Sequence, residues 1–334
     1  MRLTLNCMKS AQMCFIFDLP KKIMSSSEGF GERSHQVSIK YEGIYSCLES
    51  AFRKFYGLPS TASSKNRSPL ETYRELKFVA PAIWYYAIFE KTKYDRFITK
   101  SAMVTSVKNW HLEHAKVYII NGEEMILTSF QFDEIVKHTL ATLLHRLNHN
   151  IDLIVDLGGG WGHRLFDLFL LGVKSKEYVL LERSIAGRRC SNLVYSLFSN
   201  LFKFSCHHFD WNHLEDMPVF EGHQNVLLFS THSIEQVPEL ENKTFDILID
   251  KFPDTENLYG VHLEPVTFQI PVEKSNNPLR YERDMKYAMA HKYNLDFYNK
   301  LSRTKNIFIR HVSPGVFDSC YGNSTSVLIW EFRR

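Results

Sequence analysis

Apolar residues recur every three or four positions at Phe132, Ile135, Val136, Leu140, Leu143, Leu144 and Leu147, the stripe of a helix that faces a core. Asn148 to Asn150 end the stripe, and the period then changes. Residues 151–157 (IDLIVDL) form a short apolar run stopped by glycines, as in a strand buried on both faces. A helix over 161–171 follows, then a strand at 177–182 (EYVLLE), a helix at 185–202, and strands at 204–209 and 225–230 (NVLLFS). Such alternation predicts right-handed crossovers and a mostly parallel sheet with covered faces. The segment 244–252 contains FDILID, which looks like a strand, but Phe245, Leu248, Ile249 and Phe252 keep helical spacing, so a helix is expected. The fifth strand is then 260–266 (GVHLEPV). After a long helix over 280–303, strands at 306–312 and 326–332 close the chain as an antiparallel pair, since no helix separates them.

The chain before residue 121 reads as helices and loops, with a polar, Ser-rich linker at 60–68. The stretch 70–94 is rich in aromatics (Phe78, Trp84, Tyr85, Tyr86, Phe89), with Pro81 expected in the first turn of a helix. Core packing is the plain reading of those rings, and a ligand-binding wall the alternative. Two units are expected: a mainly helical N-terminal extension over 1–121, a candidate lid on an acceptor pocket, and an α/β domain over 122–334.

Composition narrows the picture. The 334 residues are 44% hydrophobic and 23% charged with a net charge of +3, which excludes fibrous and wholly disordered chains and gives no basic footprint for nucleic acid. Cys7, Cys14, Cys47, Cys190, Cys206 and Cys320 are scattered without a C-x-x-C pair, so a reducing, cytoplasmic setting is expected rather than a disulfide framework. The N-terminal apolar run is short and interrupted, unlike a secretory leader, and Met24 is an alternative start. No run reaches the roughly 18–20 apolar residues of a membrane span.

The informative motif is Asp156-Leu157-Gly158-Gly159-Gly160-Trp161-Gly162, where the first strand of the α/β domain meets its helix. Glycines there permit a sharp turn and close approach to a ligand, and the helix N-terminus offers N–H groups to an anion. A dinucleotide fingerprint would need a third glycine at His163, which is absent. G-x-G-x-G behind an acid instead resembles the first motif of class I S-adenosylmethionine (SAM)-dependent methyltransferases, with their Rossmann-like, mostly parallel seven-stranded sheet and C-terminal antiparallel pair. The resemblance implies SAM as cofactor and assigns it Asp156, Gly158, Gly160, Gly162 and Ser230. It also implies that Glu182, closing the second strand of that domain, takes the ribose hydroxyls and that Asp210 lies near the adenine amino group. Further stretches (Ala186 to Cys190, Thr231 to Gln236, Val261 to Val266, Lys292 to Leu295) are similar to a group of bacterial methyltransferases, some of them described as sugar or small-molecule O-methyltransferases.

Methyl transfer to a hydroxyl needs positioning and a base that removes a proton. His232, just past the fourth strand, is the first candidate, with Glu235 one turn away to orient it or act itself and Gln236 to bind substrate or cofactor. His262 and Glu264 share a face of the fifth strand, and either face the site or form a satisfied core pair. Asn294 is a weaker candidate, equally suited to capping. His207 and His208 point to opposite faces of a strand, so no metal is assigned to them with Asp210 and His213; magnesium on His232 with Glu235 or Glu264 stays an alternative. The expected activity is O-methylation of a sugar or other small molecule. The alternatives are a methyltransferase acting on protein or nucleic acid, although the Pro-Pro motif of amino-methylating DNA enzymes is absent after the fourth strand, and a non-catalytic cofactor-binding scaffold.

Overall fold

The computed structural model describes residues 30–58, 68–89, 100–147, 150–271, 277–318 and 323–334. Met24 and most of the Ser-rich stretch at 60–68 lie outside them. Among the described residues three helices come first: α1 (Phe30–Tyr56), α2 (Pro69–Phe89) and α3 (Lys100–Glu113). Pro81 does not start a helix. Ser68 and Glu71 form a reciprocal cap, Ser68 N–H donating to the Glu71 carboxylate (3.0 Å) and Glu71 N–H to Ser68 Oγ (3.2 Å), which sets the start of α2 at Pro69 and leaves Pro81 inside it.

A hairpin follows, β1 (Lys116–Ile120) and β2 (Glu123–Leu127). Its turn, Asn121-Gly122, has φ of 51° and 91°, the left-handed pair that matches the twist of a two-residue hairpin. The division anticipated between residues 121 and 122 thus falls at the hairpin tip, and both strands belong to the main sheet. Helix α4 (Ser129–Leu147) begins with a second reciprocal cap, between Thr128 and Gln131, and buries Val136, Leu140, Ala141 and Leu144 of the apolar stripe.

The alternating region then runs β3 (Leu153–Leu157), α5 (His163–Leu170), β4 (Glu177–Glu182), α6 (Ile185–Tyr195), β5 (Phe204–His208), β6 (Asn225–Thr231), α7 (Thr244–Asp250) and β7 (Asn257–Glu264). The expected helix over 280–303 is two helices, α8 (Pro278–Ala290) and α9 (Phe297–Arg303). Lys292 is left-handed (φ 50°), and Asn294 Oδ1 accepts the N–H groups of Asp296 and Phe297, which breaks one helix and starts the next. Strands β8 (Ile307–Asp318) and β9 (Thr325–Phe332) end the chain as an antiparallel pair.

The sheet order is β2-β1-β8-β9-β7-β6-β3-β4-β5, nine strands among the described residues rather than seven because the hairpin extends the β8 edge. Strands β3, β4, β5, β6 and β7 are mutually parallel, and β9 runs against both β7 and β8. In this Rossmann-like order β4 and β6 flank β3, so the chain switches direction across the sheet at β3, the position where open α/β sheets bind ligands. One face of the sheet packs on α7 and α9, the other on α4 and α5. A third cluster joins α1, α2, α3 and α6 through Phe52, Leu76 and Val107 to Trp161 of the glycine loop, so the N-terminal helices cap the carboxyl end of β3. None of the described helices is long and apolar enough to cross a membrane.

Candidate active site

At the end of β3, the segment from Gly158 to Gly162 turns with φ of 76° at Gly158 and 61° at Gly160, conformations that a side chain makes costly. A Cβ at Gly160 would also collide with the Tyr45 hydroxyl, and one at Gly159 with the Asp156 carboxylate. The loop therefore lies close over Asp156, which is 1% exposed. Neither Asp156 oxygen has a hydrogen-bond partner. Burial, with the charges of Glu182 and Glu264 in addition, lifts this carboxyl well above its usual range against the pull of Arg164.

Glu182, at the end of β4, is differently placed: Oε2 accepts from Gly160 N–H and Oε1 from Ser184 N–H, both at 2.8 Å. Burial raises its pKa and those two hydrogen bonds oppose the rise. Asp210, just past β5, accepts from Asn212 N–H and pairs with Arg183 at 3.1 Å. The Arg188 guanidinium donates to the carbonyls of Glu182 and Arg183 and ties α6 to the end of β4.

Asp156, Gly158, Gly160, Glu182, Asp210 and His232 line one cavity of about 440 Å³, within the roughly 300–1,000 Å³ of ligand pockets. Gln236 lines it as well. The remaining expected residues stay outside its wall. Gly162 caps α5 with φ 75°. His262 is fully buried beside Phe297 and Trp330, and burial pushes its pKa down to about 3. Trp330 Nε1–H can only donate, so His262 accepts at Nε2 (2.8 Å), and the neutral ring carries its proton on Nδ1 and donates it to Ser230 Oγ (2.8 Å). Ser230 in turn donates to Glu264 Oε1 (2.6 Å), which also accepts Ser233 N–H (3.0 Å). Ser230, His262 and Glu264 are thus links of one directed chain under the loop that carries His232. Burial pushes Glu264 up to about 7, and its Oε2 has no partner. Asn294 Nδ2 donates to the Val237 carbonyl, so it holds the same loop from the turn between α8 and α9.

His232 is left-handed (φ 53°), uncommon for a residue with a side chain and frequent at functional turns. Its Nδ1 is 3.0 Å from Glu235 Oε2, and its Nε2 is 2.7 Å from Thr325 Oγ1. Glu235 as a carboxylate only accepts, so the Nδ1 proton faces it and Nε2 of the neutral ring accepts from Thr325. Burial opposes protonation, but the charge and hydrogen bond of Glu235, with Glu264 behind, outweigh it and hold the imidazole above its ordinary 6.5.

The cavity also contains residues that motif reasoning passed over. Tyr41, Tyr45 and Leu48 come from one face of α1, at i, i+4 and i+7; Lys77, Ala80, Pro81 and Trp84 come from α2. Lys77 reaches Asp133 (3.0 Å), Glu134 (3.1 Å) and Asp167 (2.6 Å), and Arg164 reaches Asp133 (2.6 Å). Trp161 stacks on His163 (centroids 5.0 Å) and meets Phe52 edge-on (5.6 Å), so it fills space between the glycine loop and α1 while lining the cavity. The helical signal was the spacing on α1 and the aromatic run on α2.

No family model and no curated protein matches the chain. Among solved structures it is similar to a SAM-dependent methyltransferase from Aquifex aeolicus, at 11% identity and TM-score 0.34 over 59% of this chain and 89% of that one. It is similar also to the plantazolicin methyltransferase BpumL in complex with a monoazolic desmethyl analogue and S-adenosylhomocysteine (SAH), at 11% identity and TM-score 0.37 over 80% of this chain and 99% of that one.

Proposed function

We propose that this chain is a SAM-dependent methyltransferase that methylates a hydroxyl of a sugar or other small molecule, with His232 as general base. The observation that carries the reading is Asp156: a carboxylate fully buried beneath a glycine loop, with neither oxygen partnered, in a cavity that Glu182 and Asp210 also line. Buried polar groups are nearly always hydrogen-bonded, so an orphaned carboxylate in a cavity wall is the mark of a cationic or donor ligand. The ammonium of a methionine moiety suits it. Glu182 keeps one lone pair per oxygen for vicinal hydroxyls, and Asp210 stands at the next strand end, the order that an adenosyl group would span.

The cofactor supplies an electrophilic methyl on a sulfonium. The protein's part is to set the acceptor oxygen in line with that methyl and to remove its proton. His232 Nε2 takes the proton once Thr325 Oγ1 releases it, and Glu235 stabilises the imidazolium through Nδ1–H. The test is calorimetric titration of the folded protein with SAM, SAH and NAD. Micromolar binding of the two sulfur ligands without NAD is expected, and a folded protein that binds neither refutes the reading.

A further inference from the structure

We propose that the acceptor is an uncharged ring bearing the reactive hydroxyl, bound against Tyr41 and Trp84; this rests on the methyl-transfer reading above. Three observations point the same way. The α1 and α2 side of the cavity is an aromatic wall: Tyr41 and Trp84 have centroids 6.4 Å apart at 35°, Tyr41 stacks on Tyr45 at 6.0 Å and 29°, and Ala80 and Pro81 extend the apolar surface. An aromatic wall of this kind holds a ring by dispersion and by contact with ring C–H edges, without asking for charge.

The wall is also beside the chemistry. Tyr41, Glu182 and His232 line the same cavity, and burial with the nearby carboxylates of Glu235 and Glu182 pushes the Tyr41 phenol up. A ring lying on Tyr41 therefore shares its cavity with His232.

The third observation concerns charge. The cations of the lining are Lys77, Arg164 and Arg183, and each is already in an ion pair, Lys77 with Asp133, Glu134 and Asp167, Arg164 with Asp133, and Arg183 with Asp210. Four carboxylates line the cavity against those three cations. A phosphate or carboxylate on the acceptor would have to break one of these pairs to find a counter-charge. A neutral ring incurs no such cost.

Saturation-transfer NMR on the full chain loaded with SAH tests the proposal at millimolar probe, with methyl β-glucopyranoside and catechol as neutral rings and glucose 6-phosphate and 3,4-dihydroxybenzoate as their anionic counterparts. Saturation of the ring protons of a neutral probe is expected, the glycoside or the phenol telling sugar from aromatic. Trp84→Ala should weaken that probe about tenfold and Trp84→Phe should restore most of the loss, while SAH affinity stays within about twofold. Tighter binding of the anionic counterparts, no binding of either neutral ring, or an unchanged affinity in Trp84→Ala overturns the proposal. Failure of the unaltered chain to bind SAH is read separately by titration and would remove the cofactor reading and the ring proposal together.

Discussion

Replacing Asp156 with Asn should move ligand affinity and stability of the free protein in opposite directions. In the free protein the carboxylate is 1% exposed, has no partner on either oxygen, and is held near the like charges of Glu182 and Glu264. Its folded pKa lies above the unfolded one, so its share of stability is complete below the ordinary carboxylate range and is lost as pH rises through the raised value. Near neutral pH the ionised form is thus a liability, and an isosteric neutral amide removes the like-charge repulsion and part of the desolvation. A gain of about 1 kcal/mol follows, the low end of the penalty for an unsatisfied buried group, because the amide is itself left partly unpaired. For a chain of this size that is an increase of a few degrees in Tm at pH 7 to 8, shrinking as the pH is lowered. Toward SAH the change acts the other way. A charge-assisted hydrogen bond contributes about 1.5–3 kcal/mol, so affinity should fall roughly 10- to 150-fold. Scanning calorimetry of the free protein and titration with SAH measure the two effects on one sample. A variant that melts lower and binds SAH normally would show that Asp156 is an ordinary core residue and would undo the reasoning.

Three further outcomes are expected. His232→Ala should lower kcat by about 10²- to 10⁴-fold with SAH affinity unchanged, and turnover that survives would remove His232 as the base. Because the imidazole is held above 6.5 chiefly through Glu235 against burial, and must be neutral to accept a proton, kcat/KM should rise with pH through a midpoint above 6.5; Glu235→Gln should move that midpoint down, and an unmoved acid limb would contradict the pairing. Trp330→Phe leaves His262 Nε2 without its donor in a fully buried site and should cost about 1–3 kcal/mol in denaturant unfolding, whereas a neutral result would show that the chain from Trp330 to Glu264 carries no strain-bearing hydrogen bond.

The alternating core of the fold was legible because strands buried on both faces read as continuous apolar runs and helices as stripes: EYVLLE is β4 from end to end, and the ambiguous FDILID is helical over Thr244–Asp250. The edges of the architecture were not. The hairpin β1–β2 carries its signal in Asn121-Gly122, a two-residue turn that ranks among the strongest local cues, yet its strands are short and β2 is exposed at four of five positions, so the apolar pattern is faint. Helix α2 was signalled by Ser68 and Glu71 and not by Pro81. In the site, Asp156, Glu182, Asp210 and His232 were readable from strand ends, since the carboxyl ends of parallel strands converge on one opening. Tyr41, Lys77 and Trp84 were not, because only packing of the N-terminal helices brings them there. His262 and Glu264 show the limit of face arguments: alternation correctly sets both on one side of β7, but only the position of Trp330 on the neighbouring strand β9 turns that side into a closed hydrogen-bond chain.

Burial alone does not separate a carboxylate that holds the fold from one that awaits a ligand, and the acids at the carboxyl end of this sheet make the distinction concrete. Asp156 and Glu182 sit on adjacent strands, are nearly equally buried at 1% and 7%, and both have raised pKa values. Glu182 has one backbone donor on each oxygen, which fixes its plane and leaves outward lone pairs for hydroxyls. Asp156 has none, although the glycine loop passes close enough that a single Cβ at Gly159 would strike it. A fold under no functional demand would relieve that arrangement with an amide, a hydroxyl or an apolar residue, each available by one substitution at low cost. The presence of an unpartnered acid beneath a loop of left-handed glycines, itself destabilising, is intelligible when the missing partner is supplied from outside the chain. By the same reasoning Glu264, with two donors on Oε1 and an idle Oε2, belongs to the support of the His232 loop. Its removal should therefore be felt in the pH profile of turnover before it is felt in the binding of SAH.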